Sequence, residues 1–227
     1  MSRDRIEGRA QETILRLRTA LAGELPGRRA YKEAFPGGFG TRSLPEGVAA
    51  DRAAVLLVLH PDPLGDRFQI PLIVRTESMF HHAGQVGLPG GAVDDGEGVH
   101  QAALREAFEE IGLDPQKVQI LGELSPITIP ISRFEVHTVV GYSPAPIVYL
   151  PHDREVMRVI LADPDHLADE GPSSWIDRVG HGGTSRHPAY AVEGEAVWGA
   201  TALILSEFLH LWRQMGGPPS RPSEGES

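Results

Sequence analysis

The sequence predicts an α/β domain in which strands and helices pack in layers. Three observations carry this expectation. Residues 53–60 (AAVLLVLH) and 68–75 (FQIPLIVR) are short apolar runs bounded by turn residues, the signature of buried strands. Residues 99–111 carry a helical period that ends at Gly112. Residues 196–215 (AVWGATALILSEFLHLWRQM) form a second helical run, apolar on most sides, which suits a helix buried against a sheet.

Taken in order, residues 2–25 place Ile6, Ala10, Ile14, Leu17, Leu21 and Leu25 on one helical stripe, which Pro26-Gly27 should end. The Gly- and Pro-rich stretch AFPGGFGTRSLPEG reads as a connector. Residues 53–60 and 68–75 flank the turn PDPLGDR and predict a hairpin. After the helix at 99–111, Pro115 blocks continuation, and VQILGELS, FEVHTVVGYS and VMRVIL supply further strand candidates. EGPSSWIDRVGHGGTSRHPAY reads as solvated loop, in preference to a mobile lid carrying Arg178, His181 and Arg186, and the tail GGPPSRPSEGES as disordered. The expected organisation is an N-terminal helix and connector over 1–45, the main domain over 46–215 and a tail over 216–227. The two terminal helices are compatible with a homodimer.

Composition narrows the class. With 41% hydrophobic and 23% charged residues, the 227-residue chain resembles an ordinary globular protein. A formal charge of −10 argues against a nucleic acid polymer as partner, because phosphate neutralisation needs clustered Lys and Arg. It leaves room for a small phosphorylated substrate if cations bridge the negative groups. No apolar run is long enough for a membrane span, the first residues lack a signal-peptide core, and cysteine is absent, so the expected address is cytoplasmic.

LREAFEEIG, residues 104–112, crowds three glutamates into five positions. On a helix Glu106 and Glu110 lie one turn apart with Glu109 beside them, while Ala107, Ile111, Leu104 and Phe108 gather on the other side. Like charges at this spacing cost a few tenths of a kcal/mol per pair, so a solvated acidic face competes with a functional reading. Upstream, Pro89-Gly90-Gly91 lets backbone approach a ligand closely and offers a carbonyl. Carboxylates plus a carbonyl are the oxygen donors that hard cations such as Mg²⁺ prefer.

Residues 91–113 (GAVDDGEGVHQAALREAFEEIGL) resemble the Nudix box: Gly, five residues, Glu, seven residues, Arg-Glu, an apolar residue, any residue, Glu-Glu, any residue, Gly, apolar. Gly91, Glu97, Arg105, Glu106, Glu109, Glu110 and Gly112 hold its fixed positions. Chance would give this register about once in 10⁸ windows. The resemblance implies the Nudix fold, a mixed β-sheet sandwiched between α-helices, and Mg²⁺- or Mn²⁺-dependent hydrolysis of a small-molecule diphosphate. It implies metal-binding roles for Glu106, Glu109, Glu110 and the Gly90 or Gly91 carbonyl, a glutamate-orienting role for Arg105, and support from Glu97. The general base it leaves between Glu109 and a glutamate from a later loop, for which Glu155 is the candidate, against a plain surface glutamate beside Arg154.

Residues 72–91 (LIVRTESMFHHAGQVGLPGG) are similar to the segment before the box in the coenzyme A pyrophosphatase branch, with Arg75, His82, Gly84, Gln85, Val86, Pro89, Gly90 and Gly91 matching. This likeness implies a coenzyme A substrate and makes Arg75, Phe80, His82 and Gln85 the candidate substrate contacts. Phe80, Leu88 and Thr76 depart from the branch, and Phe80 replaces an arginine there. Two alternatives therefore stay open: a Nudix pyrophosphatase for ADP-ribose or another nucleotide, and a non-catalytic Nudix module that binds a nucleotide or a protein.

Overall fold

In the computed structural model, residues 3–36, 49–65, 67–76, 84–130, 132–180 and 183–216 are described. The connector from 37 to 48, Phe80, His82, His181 and the tail from 217 lie outside them.

Strand β1 (Asp51–Pro61) is the axis of the sheet because its run of branched and aliphatic residues can be buried on both faces. Its side chains alternate. Ala54, Leu56 and Val58 face one layer, and Ala53, Leu57 and Leu59 face the other. On one edge β1 runs parallel to β7 (Phe134–Tyr142) over its whole length. On the other edge it pairs antiparallel with β2 (Phe68–Arg75) only at His60 and Pro61, and with β4 (Gly90–Ala92) at Ala53–Val55. The expected hairpin of β1 and β2 thus exists only beside its turn. Beyond that turn β2 leaves β1 to pair with β3 (Val86–Gly87) and β8 (Val156–Ala162). β5 (Gln119–Glu123) and β6 (Ile127–Ile129) complete the mixed sheet by pairing antiparallel with β7.

Helix α3 (Val99–Ile111) covers one face, its Ala102, Ala103, Ala107 and Ile111 packing on Ala54, Leu56, Val58, Ile73 and Val139. The opposite face is covered by α1 (Arg3–Leu21), α2 (Arg28–Ala34), α4 (Pro164–Glu170) and α5 (Gly199–Gln214). Ile14, Leu17 and Leu21 of α1 and Leu205, Phe208 and Trp212 of α5 are buried there. These apolar side chains, part of what motivated a homodimer, are therefore used inside this chain.

Some expectations require correction. α1 ends at Leu21, short of Pro26, and α2 follows unannounced by periodicity because seven residues are too few to show a stripe. α5 starts at Gly199, since Glu195–Val197 forms strand β11. The stretch read as loop is an antiparallel hairpin of β9 (Ser174–Gly180) and β10 (Gly183–Val192), with β11 on its other edge. The ribbon lies outside the main sheet and meets the core through Tyr190 and Val192 near one end, while Trp175, Asp177 and Arg186 are exposed, so its apolar alternation is weak. Among the described residues, no helix is long and apolar enough to cross a membrane.

Candidate active site

The loop from 84 to 98 carries the chain from β3 through β4 into α3, and glycine makes this path possible. A Cβ on Gly90 would fall 2.3 Å from the Ala54 carbonyl oxygen and 2.6 Å from Val55 Cα, so only glycine lets β4 lie this close to β1. A Cβ on Gly91 would fall 2.5 Å from Glu106 Oε1. The space a side chain would take at 91 holds the Glu106 carboxylate.

Helix α3 meets this loop with a different face from the one expected. Phe108 is 56% exposed, whereas Glu110 is 2% exposed and lies among the buried residues. The buried arc runs through Ala102, Ala103, Ala107, Glu110 and Ile111, rolled by roughly a quarter turn from the arc of the largest apolar side chains. Three alanines allow close approach to the sheet, and the glycines leave room for carboxylates at its edge.

Each carboxylate has a specific partner. Glu110 Oε2 accepts from the Gly90 N–H at 2.8 Å, and Oε1 meets Arg75 Nη1 at 3.2 Å. Arg75 Nη2 also donates to the Gly90 carbonyl at 3.1 Å. Arg105 donates to both oxygens of Glu97 at 3.0 Å, to Glu106 Oε1 at 2.8 Å, to Glu109 Oε2 at 3.3 Å and to the Ala92 carbonyl at 3.1 Å. Its planar fork thereby locks the loop to the helix. That fork also pulls Glu97 below the usual carboxylate range. Glu109 stands at the outer rim, its side chain 55% exposed.

Burial pushes the Glu110 carboxyl up to about 7, against the pull of Arg75 and the Gly90 N–H, while Glu106 and Glu155 add to the push. Burial also raises Glu106, opposed by Arg105 and reinforced by Glu109 and Glu155. Glu155 follows the loop that caps α3: the Leu150 and His152 N–H groups donate to the Ile111 and Glu110 carbonyls, each at 2.9 Å. Thr76 N–H donates to the Glu155 carbonyl at 3.0 Å, next to Arg75. The structure therefore gathers Glu106, Glu110, Gly90, Gly91, Arg75, Arg105, Glu97 and Glu155. Gln85 lies alongside, its carbonyl accepting from the Arg75 N–H at 3.0 Å. Arg75, expected at the substrate, is bound into the acidic cluster. That pairing joins positions 35 apart in the chain and left no signal in the local pattern.

Among the described residues no three acidic or histidine side chains stand in ready-made ligand geometry, because the two arginines and Gly90 N–H hold the carboxylates. The donor set nevertheless fits a hard divalent ion: carboxylate oxygens beside backbone carbonyls, two of them under pressure to take up protons that a cation would relieve.

A helix on a mixed sheet presents its carboxylates to a glycine-built loop, an arrangement of oxygen donors of the kind that metal-assisted hydrolases use. A NUDIX domain model matches residues 51–178, and the chain belongs to that family as a Nudix hydrolase. A relative from Escherichia coli O1:K1 / APEC, described as an uncharacterized Nudix hydrolase, NudL, is 37% identical over 162 residues, covering 69% of this chain and 80% of the relative. The NudL of Shigella boydii serotype 18 gives the same figures. In solved structures, the MutT protein of Methanosarcina mazei Go1 shares the fold at a TM-score of 0.50 and 14% identity, covering 75% of this chain and 99% of that one.

Proposed function

We propose that this enzyme hydrolyses the diphosphate of coenzyme A or a derivative, adding water across the P–O–P bridge to give 4′-phosphopantetheine and adenosine 3′,5′-bisphosphate. The observation that carries the hydrolytic part is the cluster of Glu106 and Glu110 against Gly90-Gly91, backed by Arg75 and Arg105. The coenzyme A part is supported by the likeness of residues 72–91 to that branch.

In this reading Glu106, Glu109, Glu110 and the Gly90 carbonyl hold Mg²⁺ or Mn²⁺. When bound, such ions neutralise phosphoryl oxygens and acidify water. Arg105 orients Glu106 and Glu109, and Glu97 steadies Arg105. In the same reading exposed Glu155, whose charge bears on Glu106 and Glu110, takes the proton of the attacking water. Gln85, Phe80 and His82 are the candidate substrate contacts, Arg75 holds Glu110 and the Gly90 carbonyl, and the work is cytosolic.

The test is a panel of coenzyme A, ADP-ribose and nucleoside triphosphates with Mg²⁺ or Mn²⁺, with products identified. Cleavage of coenzyme A to the two named products is expected. Coenzyme A left intact while another diphosphate is cut would transfer the reading to ADP-ribose or a related nucleotide, which Phe80 in place of an arginine favours.

A further inference from the structure

The segment 149–155, between β7 and β8, has hydrogen bonds at both ends. Tyr149 is half-buried against the core under α3, and its hydroxyl lies 2.5 Å from His60 Nε2. His60 is 2% exposed at the end of β1, and its Nδ1 lies 2.8 Å from the Pro61 carbonyl. That carbonyl requires a hydrogen on Nδ1, so Nε2 is the acceptor and the tyrosine hydroxyl donates. Burial lowers the proton affinity of His60, which keeps the ring in this neutral form.

From Tyr149 the chain crosses the end of α3, where Leu150 and His152 cap it. A turn then closes on the His152 carbonyl, which accepts from Glu155 N–H at 3.0 Å and Val156 N–H at 2.9 Å. Thr76 grips the far end, its hydroxyl donating to the Arg154 carbonyl at 2.9 Å and its N–H to that of Glu155. The side chains of residues 150–155 are exposed, Leu150 at 69%. With so little apolar burial, these hydrogen bonds are what fixes its place.

We propose that Tyr149 is a positioning residue: through buried His60 it sets the 149–155 segment, and so the place of Glu155 relative to Glu106 and Glu110. This rests on the hydrolase reading above. The latch spans 89 positions of sequence and joins the end of the central strand to the loop. A small displacement of a reacting group lowers a rate steeply while ground-state binding persists, so the role separates kcat from KM.

The experiment uses the full chain and whichever diphosphate the substrate panel shows to be cleaved. Tyr149→Phe removes one oxygen. It is expected to lower kcat by about 10- to 100-fold, leave KM within about 2-fold, and speed amide hydrogen exchange at Leu150 and His152 by about 10-fold. His60→Gln, which keeps a neutral acceptor, is expected to retain most of kcat. His60→Leu should match Tyr149→Phe, with the double variant no worse than either. Unchanged kcat in Tyr149→Phe overturns the proposal. So does a fall in kcat without faster exchange, or a rise in KM with kcat held. Wild-type protein silent on the whole panel overturns the hydrolase reading itself and the positioning role with it, a result obtained before any variant is made.

Discussion

The Glu106 carboxylate lies where a side chain on Gly91 would begin, with Oε1 2.5 Å from the site of that missing Cβ. The loop glycine and the helix glutamate, 15 positions apart, are therefore complementary in shape. Gly91→Ala should displace Glu106, whose flexible end can yield, so unfolding free energy should change by no more than about 1 kcal/mol. Hydrolysis should fall by about 100-fold. Denaturation and steady-state kinetics on one preparation check both halves, and a fully active variant would show that Glu106 does not act from this position.

Glu110 gives a signed dependence on pH. Its folded-state pKa, about 7, is above that of an unfolded glutamate, so the fold binds the extra proton. The stabilisation is complete below the unfolded value and is lost as pH rises through about 7. Glu110→Gln cannot titrate. Metal-free wild type should lose about 3 kcal/mol relative to this variant between roughly pH 4 and 8. Urea titrations across that range measure the difference. Adding Mg²⁺ should restore wild type and leave Glu110→Gln nearly unmoved.

Arg105 donates to three glutamates and a carbonyl, a geometry that requires the guanidinium fork. Arg105→Lys keeps the charge and loses the paired bonds to Glu97. A fall in kcat of about 10- to 100-fold is expected, with stability reduced by about 1–2 kcal/mol. Kinetics equal to wild type would mean that charge alone suffices.

Far from this cluster, Glu207 on α5 is wholly buried and accepts from Gly27 N–H at 3.0 Å, Tyr31 hydroxyl at 3.1 Å, Ser125 hydroxyl at 2.7 Å and Ser125 N–H at 3.3 Å. It binds the N-terminal helices to the sheet. Glu207→Ala leaves these donors without partners and should cost about 3 kcal/mol or more, measured by urea unfolding. Hydrolysis by the protein that remains folded should be unaffected.

What the sequence determined by itself is local. Residues 99–111 were legible as a helix because one period runs through them, and Gly112 ends it with φ 71°, the left-handed conformation that glycine adopts readily. β1, β2 and β7 were legible because buried strands need continuous apolar runs, and the register from Gly91 to Gly112 marked the family. The tertiary structure decided which way α3 rolls, putting Glu110 inside and Phe108 outside. It also decided that Arg75 meets Glu110 and that Tyr149 meets His60. The same holds for the β9–β10 ribbon, where Arg186 lies 5.1 Å from the Trp175 ring centre instead of in a loose loop. The reason is physical: periodicity reports which residues can be buried, whereas packing volume and hydrogen-bond satisfaction between distant segments select which of them are.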